Sequence, residues 1–370
     1  MSLGRRLRQP SLVFGLSCLL LLCAASIWNL WFIDGLADSA FHRNQTIWIV
    51  LGLIGAGVVG SMDFGFFRRV SLTAYQAIVL LLIGVLVFGR EINSSRRWLE
   101  LGPLNVQPSE LMKLSVVLML ADWFDRRRAQ ASWSLRDLVI PLAIVLVPVV
   151  LINRQPDLGT SLCVLLVGLS VMLYEGIRRR TLVAGLMIVI IGVPVAWEVG
   201  VIRSYQKGRV RAWWALDDQA VVKRSSSATQ AELAMWAVGS GRIAGRSQEE
   251  ARRSVLKHLP YLHTDFAFAA WAEQFGLAGA GALFFLYGGL LWWALYLADF
   301  SRDRFDALTA VGCAALIFWQ FFINAGMVIG LLPVVGMTLP LMSYGGSSVL
   351  TVLLACGFLL NIALRRKARG

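Results

Sequence analysis

Leu259–Gly276 reads LPYLHTDFAFAAWAEQFG, and from Phe266 the chain runs on to Ala298 with Glu273 as its one charged residue. A helix needs about 20 apolar residues to cross the hydrocarbon core of a bilayer. This run exceeds that length, so it reads as a membrane helix and sets the fold class. Asp265 then stands at its edge, where a carboxylate meets water and lipid headgroups together. Two readings of it stay open on local sequence: Thr264 or Asp265 caps the first backbone N–H groups of the helix, or Asp265 does chemistry.

The rest of the chain agrees with a membrane protein. Of 370 residues, 57% are hydrophobic and 15% charged, and the mean hydropathy is +0.67, too apolar for an ordinary soluble domain. Further apolar runs occur near 11–33, 45–62, 70–88, 109–124, 136–152, 158–175, 181–200, 306–330 and 345–364. The expected fold is therefore all-α, a single polytopic membrane domain over 1–370 with about ten transmembrane helices. The first run follows Arg5, Arg6 and Arg8 and lacks a small-residue cleavage pattern, so it reads as a retained helix. Cys18, Cys23, Cys163, Cys313 and Cys356 all lie inside apolar runs without metal-ligand spacing, and read as small core residues.

Short basic clusters at Arg68/Arg69, Arg126–Arg128, Arg178–Arg180, Arg302/Arg304 and Arg365–Lys367 recur after every second span. By the positive-inside bias they face the cytoplasm, together with both termini. This patterning also accounts for most of the net charge of +13 without a nucleic acid partner. The segments 34–44, 89–108, 153–157, 201–265 and 331–344 then face outward. The loop 201–265 is much the largest, and it is rich in Arg and Lys, which suits an anionic phosphate group at the membrane surface. Within it, Thr229–Val238 has helical apolar spacing and reads as an interfacial amphipathic helix, followed by a flexible glycine turn, Gly239–Gly245.

Four outward stretches carry polar residues beyond what a connecting loop needs. In RRWLELGPLNVQPSELMK, Arg96–Lys113, Pro108 and Ser109 read as a helix start with Glu110 and Lys113 an i, i+3 pair. In NRQPDLGTS, Asn153–Ser161, Arg154 and Asp157 flank a proline turn. In LPVVGMTLPLMSYGGSS, Leu332–Ser348, prolines and glycines forbid a continuous helix, and such broken backbone persists at membrane depth only inside protein or beside an aqueous cavity. LHTDFAF is the fourth.

These motifs, in this order, resemble the RodA/FtsW/SpoVE family, the SEDS proteins of bacterial shape, elongation, division and sporulation. The resemblance covers nearly the whole chain and leans to the RodA branch. It implies a ten-helix membrane glycosyltransferase that polymerises lipid II into glycan strands at the outer face of the cytoplasmic membrane, working with a class B penicillin-binding protein. The family's essential aspartate falls on Asp265, its polar helix-start pair on Glu110 and Lys113, and its hairpin acid on Asp157. The chain departs from the family pattern at Tyr261, where an acidic residue is usual, at Gln274, and in GSGRIAGRS, where Arg242 and Arg246 enter a glycine-rich motif.

Joining two sugars requires removing a proton from an acceptor hydroxyl and stabilising a departing lipid diphosphate. Asp265 is the expected general base and His263 the alternative, since an unperturbed imidazole titrates near neutrality. Arg154, Lys113, Arg209 and Arg211 are the expected diphosphate ligands, with a Mg or Mn ion left open as an additional one. A transporter that flips lipid-linked precursors has the same needs for an outward cavity and broken helices, and stands as the competing class.

Overall fold

The structure of the chain is a computed structural model. It describes residues 10–37, 39–92, 95–101, 104–127, 132–200, 202–216, 218, 220, 222, 225–247, 250, 255–301 and 303–365. Lys223, Arg224, Arg252 and Arg253 of the basic loop lie outside the described residues, as do the N-terminal arginines.

Each apolar run forms a helix. In chain order these are α1 (Pro10–Ala37), α2 (Phe41–Ser61), α3 (Phe64–Phe88), α4 (Pro108–Asp125), α5 (Val139–Arg154), α6 (Leu158–Tyr174) and α7 (Arg179–Glu198), then α8 (Ser204–Trp214) and α9 (Ser226–Ser240) in the large loop, and α10 (Ala267–Asp299), α11 (Arg304–Val328) and α12 (Gly346–Arg365). Seven of them, α1, α2, α3, α7, α10, α11 and α12, are long and apolar enough to cross a membrane. The chain is a predominantly α-helical, multi-pass membrane protein. The other three predicted spans are helices of a different kind. α5 and α6 have 16 and 17 residues, and α4 carries Glu110, Lys113, Asp122 and Asp125 within its 18.

Burial explains how α4 tolerates those charges. Nearly all of it is enclosed, as is α11, and the two pack on each other and on α6. α12 lies along α2, and α10 lies between α1 and α11. At the end of the bundle away from Asp265, several described residues of the predicted basic clusters pair with acids, while Arg128, Arg302, Arg366 and Lys367 lie outside the described residues. Arg68 reaches Asp125 and Asp303, Arg304 meets Glu175, and Arg365 meets Asp306.

Three expectations change. The fold is not purely α: the segment between α3 and α4 folds into an antiparallel sheet of β1 (Arg90–Ile92), β2 (Ser95–Leu101) and β3 (Leu104–Val106), with Leu99 opposite Val106. Only Leu99, Glu100 and Leu101 alternate in a strand-like way, too short a stretch to announce the sheet. The helix after Asp265 is also not continuous. Gly276 breaks it at φ 62°, ψ −158°. Finally, Gly239–Gly245 is not a free turn but docks into that break. Leu277 N donates to Arg242 O at 2.8 Å, Ala278 N to Ile243 O at 3.0 Å and Arg246 N to Glu273 O at 3.0 Å. A β-carbon on Gly245 (φ +86°) would sit 1.9 Å from Gln274 O, so the contact requires glycine. α9, found where the sequence predicts a short helix, buries Ala228, Ala231, Ala234 and Ala237 and packs on α10.

Candidate functional site

Asp265 lies in a turn fixed by one carbonyl. Tyr261 O accepts from the backbone N–H groups of Thr264, Asp265 and Phe266 at 3.1, 2.9 and 3.4 Å. The cap position of α10 is Phe266, with no side-chain capping bond, and the Thr264 hydroxyl donates back to Tyr261 O at 3.2 Å. The local capping reading of Thr264 and Asp265 therefore does not describe this helix start.

Asn324 of α11 ties the turn to the broken segment after α11. Its Nδ2 donates to Asp265 O at 2.8 Å and to Met337 O at 2.6 Å. That segment, 331–345, brings Gly336 under the carboxylate. A β-carbon on Gly336 would lie 3.4 Å from Asp265 Oδ2 and 3.9 Å from Arg209 Nη1. Arg209 Nη1 in turn donates to Val334 O at 3.0 Å. Amphipathic α8 is thus fastened to the same strip of backbone, with Trp213 Nε1 donating to Gly330 O at 2.8 Å.

The hairpin 153–161 closes the other side. A β-carbon on Gly159 would stand 3.1 Å from Gly336 O. Asp157 caps α6 by accepting from Thr160 N at 3.2 Å, and its Oδ2 accepts from Gln107 Nε2 at 2.9 Å. Arg97 of β2 places Nη1 3.9 Å from Asp157 Oδ1 and holds the carbonyls of Gln155 and Pro156. Gln107 N donates to Ser347 Oγ at 3.1 Å at the start of α12. All four polar stretches read from the sequence therefore meet at one end of the bundle.

The electrostatics follow from this packing. Burial raises the Asp265 carboxyl to about 6, against the opposing pull of the Thr264 hydrogen bond, Arg209 and Arg97, with Asp157 pushing it up further. Burial lowers the proton affinity of Arg209, while Tyr205, Asp265 and Asp157 support its charge. His263 is lowered by burial, which favours the neutral ring at neutral pH. Its imidazole stacks on Phe41 at 4.0 Å and 9°, and its carbonyl accepts from Tyr344 N at 2.7 Å. Beside it lies a cavity of about 550 Å³, lined by Trp48, Trp98, Asn105, His263, Thr264 and Tyr344 among others.

The remaining expected ligands stand elsewhere. Lys113 and Glu110 form an ion pair of 2.7 Å enclosed in the core, exposed 0% and 6%. Arg154 ends α5 with an exposed side chain, in no ion pair among the described residues. Arg211 is two residues from Arg209, about 200° around a helix, and lies instead 5.8 Å from the ring of Trp197. Arg97 and Asn324 take positions that sequence reasoning did not single out. An amide inside an apolar run was the available signal for Asn324.

No group of three or more His, Cys, Asp or Glu able to hold a metal ion occurs among the described residues. A Mg or Mn ion commonly takes one or two carboxylates and completes its shell with water and substrate phosphates.

A polytopic α-helical protein with a buried carboxylate facing guanidinium groups at one membrane surface is the class this geometry defines. The chain belongs to the FtsW/RodA/SpoVE family, whose model, described as "Cell cycle protein", matches residues 9–368. It is 32% identical over 360 residues to the peptidoglycan glycosyltransferase MrdB of Escherichia coli K12, covering 97% of this chain and 94% of that one. It is 33% identical to MrdB of Helicobacter pylori, covering 90% and 86%. The fold superposes on Thermus thermophilus rod shape determining protein RodA with a TM-score of 0.68 at 30% identity, over 95% of this chain and 96% of that one. It also matches a chain from a peptidoglycan synthase complex that coordinates polymerization and crosslinking, with a TM-score of 0.80 at 31% identity over 95% and 98%.

Proposed function

We infer that this chain is a peptidoglycan glycosyltransferase that polymerises lipid II at the outer face of the cytoplasmic membrane. On this reading all ten predicted spans cross the bilayer, both termini are cytoplasmic, and the Asp265 end faces outward. The observation that carries the chemistry is the convergence of Asp265 and Arg209 on Gly336.

A general base works best with a pKa near the operating pH, and Asp265 sits at about 6. Its carboxylate takes the proton of the GlcNAc 4-hydroxyl of one lipid II. The freed oxygen pair attacks the anomeric carbon of the MurNAc on the growing lipid-linked strand. The bond from that carbon to the diphosphate breaks, its electron pair leaves with the lipid diphosphate, and the centre inverts in one step. Arg209, and Arg97 behind it, supply fixed positive charge for the leaving group. A divalent cation held by Asp265 would add Lewis-acid stabilisation of the same diphosphate.

The cavity beside Thr264 and His263 gives room for a sugar or lipid-proximal group next to the base. His263, stacked on Phe41, serves as its wall. Likeness to a chain from a complex of polymerization and crosslinking supports a class B penicillin-binding protein as partner.

Purified protein given lipid II, without ATP or an ion gradient, is expected to form polymer, and Asp265→Asn to form none while remaining folded. Flipping of lipid II without polymer by the unaltered protein would instead establish a transporter.

A further inference from the structure

α8 presents two faces. Arg209, Gln206 and Ala212 turn inward, with Gln206 Nε2 donating to Asn153 Oδ1 at 3.0 Å. On the opposite side, Arg203, Lys207 and Arg211 recur every four residues, a spacing that stacks them along one helix face. They line a cavity of about 680 Å³ together with Gly200, Ser204 and Tyr205, and none of the described lining residues carries a carboxylate. Trp197 of α7 stands beside two of these cations. Its ring lies 5.4 Å from Lys207 Nζ and 5.8 Å from Arg211 Cζ, and its carbonyl accepts from Lys207 Nζ.

Like charges four residues apart destabilise a helix, and among the described residues neither Arg203 nor Arg211 pairs with an acid. An anion seated in this cavity would offset that repulsion. α7, which ends at this cavity, has no buried residue, so lipid reaches its last turn. A tryptophan and cations at the end of such a helix mark headgroup depth.

We propose that Arg203, Lys207 and Arg211 form a binding site for a lipid phosphate, separate from the Asp265 centre and on the other side of α8. An occupant would hold α8 at the membrane surface from without, while Arg209 engages the reaction centre from within. The ligand is a phosphate on a lipid, either the phosphodiester of an anionic phospholipid or the diphosphate of a polyprenyl carrier.

The test is lipid retention by the full chain, read by native mass spectrometry without turnover, so its outcome is independent of glycosyl transfer. Protein in phosphatidylcholine nanodiscs containing phosphatidylglycerol, or separately undecaprenyl diphosphate, is compared with Arg203→Gln/Arg211→Gln. Each cation near an anionic surface is worth about fivefold in binding, so a loss of roughly tenfold or more is expected for one of the two lipids. Which lipid is lost identifies the source. Arg203→Lys/Arg211→Lys should retain it, separating loss of charge from loss of fold. Unchanged retention of both lipids in the glutamine variant, or an equal loss in Lys257→Gln, which removes an exposed cation of the same loop away from the cavity, would overturn the proposal.

Discussion

Asp265 and Arg209 face each other across the backbone of Gly336, whose added β-carbon would lie 3.4 Å from Asp265 Oδ2 and 3.9 Å from Arg209 Nη1. The two side chains come from different parts of the large loop, yet both are fastened to the broken segment 331–345. Base and cation are thereby held in register by backbone carbonyls, not by a direct pair that would pull the carboxylate far below the working range.

The pH profile of polymerisation should report that balance. A base must be deprotonated to act, and the Asp265 carboxyl lies at about 6, so the rate should rise with pH and level off above that value. Arg209 lowers this pKa, so Arg209→Gln should move the inflection upward as well as reduce the plateau. An inflection that ignores Arg209 would detach the titrating group from Asp265.

The same shift carries a sign for stability. The carboxyl is raised from 3.8 to about 6, so the folded chain binds this proton more tightly than the unfolded chain. Stability therefore falls as pH rises through that window and stays lower above it. Asp265→Asn is expected to be more stable than the parent at pH 7 by about 1–3 kcal/mol, with the difference vanishing near pH 4. Thermal melts at the two pH values decide it.

Gly336 has φ +75°, a region that L side chains avoid. Its alanine variant meets no clash worse than ordinary contact with Asp265, so the damage should come from the backbone. Gly336→Ala is expected to cost about 1 kcal/mol or more in stability and to reduce polymerisation more than its melting shift explains. Full activity in a folded variant would mean that the segment under Asp265 need not hold this conformation.

Much of this arrangement was legible in the sequence. Length and apolarity placed the spans, prolines and glycines in Leu332–Ser348 announced broken backbone, and the polar stretches marked the segments that converge. What could not be read was which atoms meet. Nothing in the spacing of Arg209 and Arg211 tells which faces Asp265, because that depends on how α8 docks through Gln206 and Trp213. Arg97 depends on a strand register, and strands this short give little periodic signal. The glycines of Gly239–Gly245 look like any flexible turn until Gly276 opens the helix that receives them.

That docking makes Gly245 a stringent position. Alanine there would drive a β-carbon to 1.9 Å from Gln274 O at φ +86°, so the loop must leave the helix break. Gly245→Ala should lower stability by more than about 1 kcal/mol and depress activity, since the first segment of α10 follows directly on Asp265. Gly281, further along α10, has open space around it, and Gly281→Ala should leave both unchanged.

Glu110 and Lys113 matched a family motif, but the structure encloses their 2.7 Å pair inside the bundle. Removing one partner of a buried pair strands the other charge and costs about 3–5 kcal/mol, whereas replacing both by apolar groups of similar size is often neutral. Glu110→Met and Lys113→Met alone are therefore expected to lose most folded protein on size-exclusion chromatography. The two together should recover it. If the pair serves only to hold α4, the double variant will also polymerise lipid II at near the parental rate. Recovered folding without recovered activity would instead give the pair a part in the reaction, transmitted through Gln107, which precedes the helix and bonds Asp157.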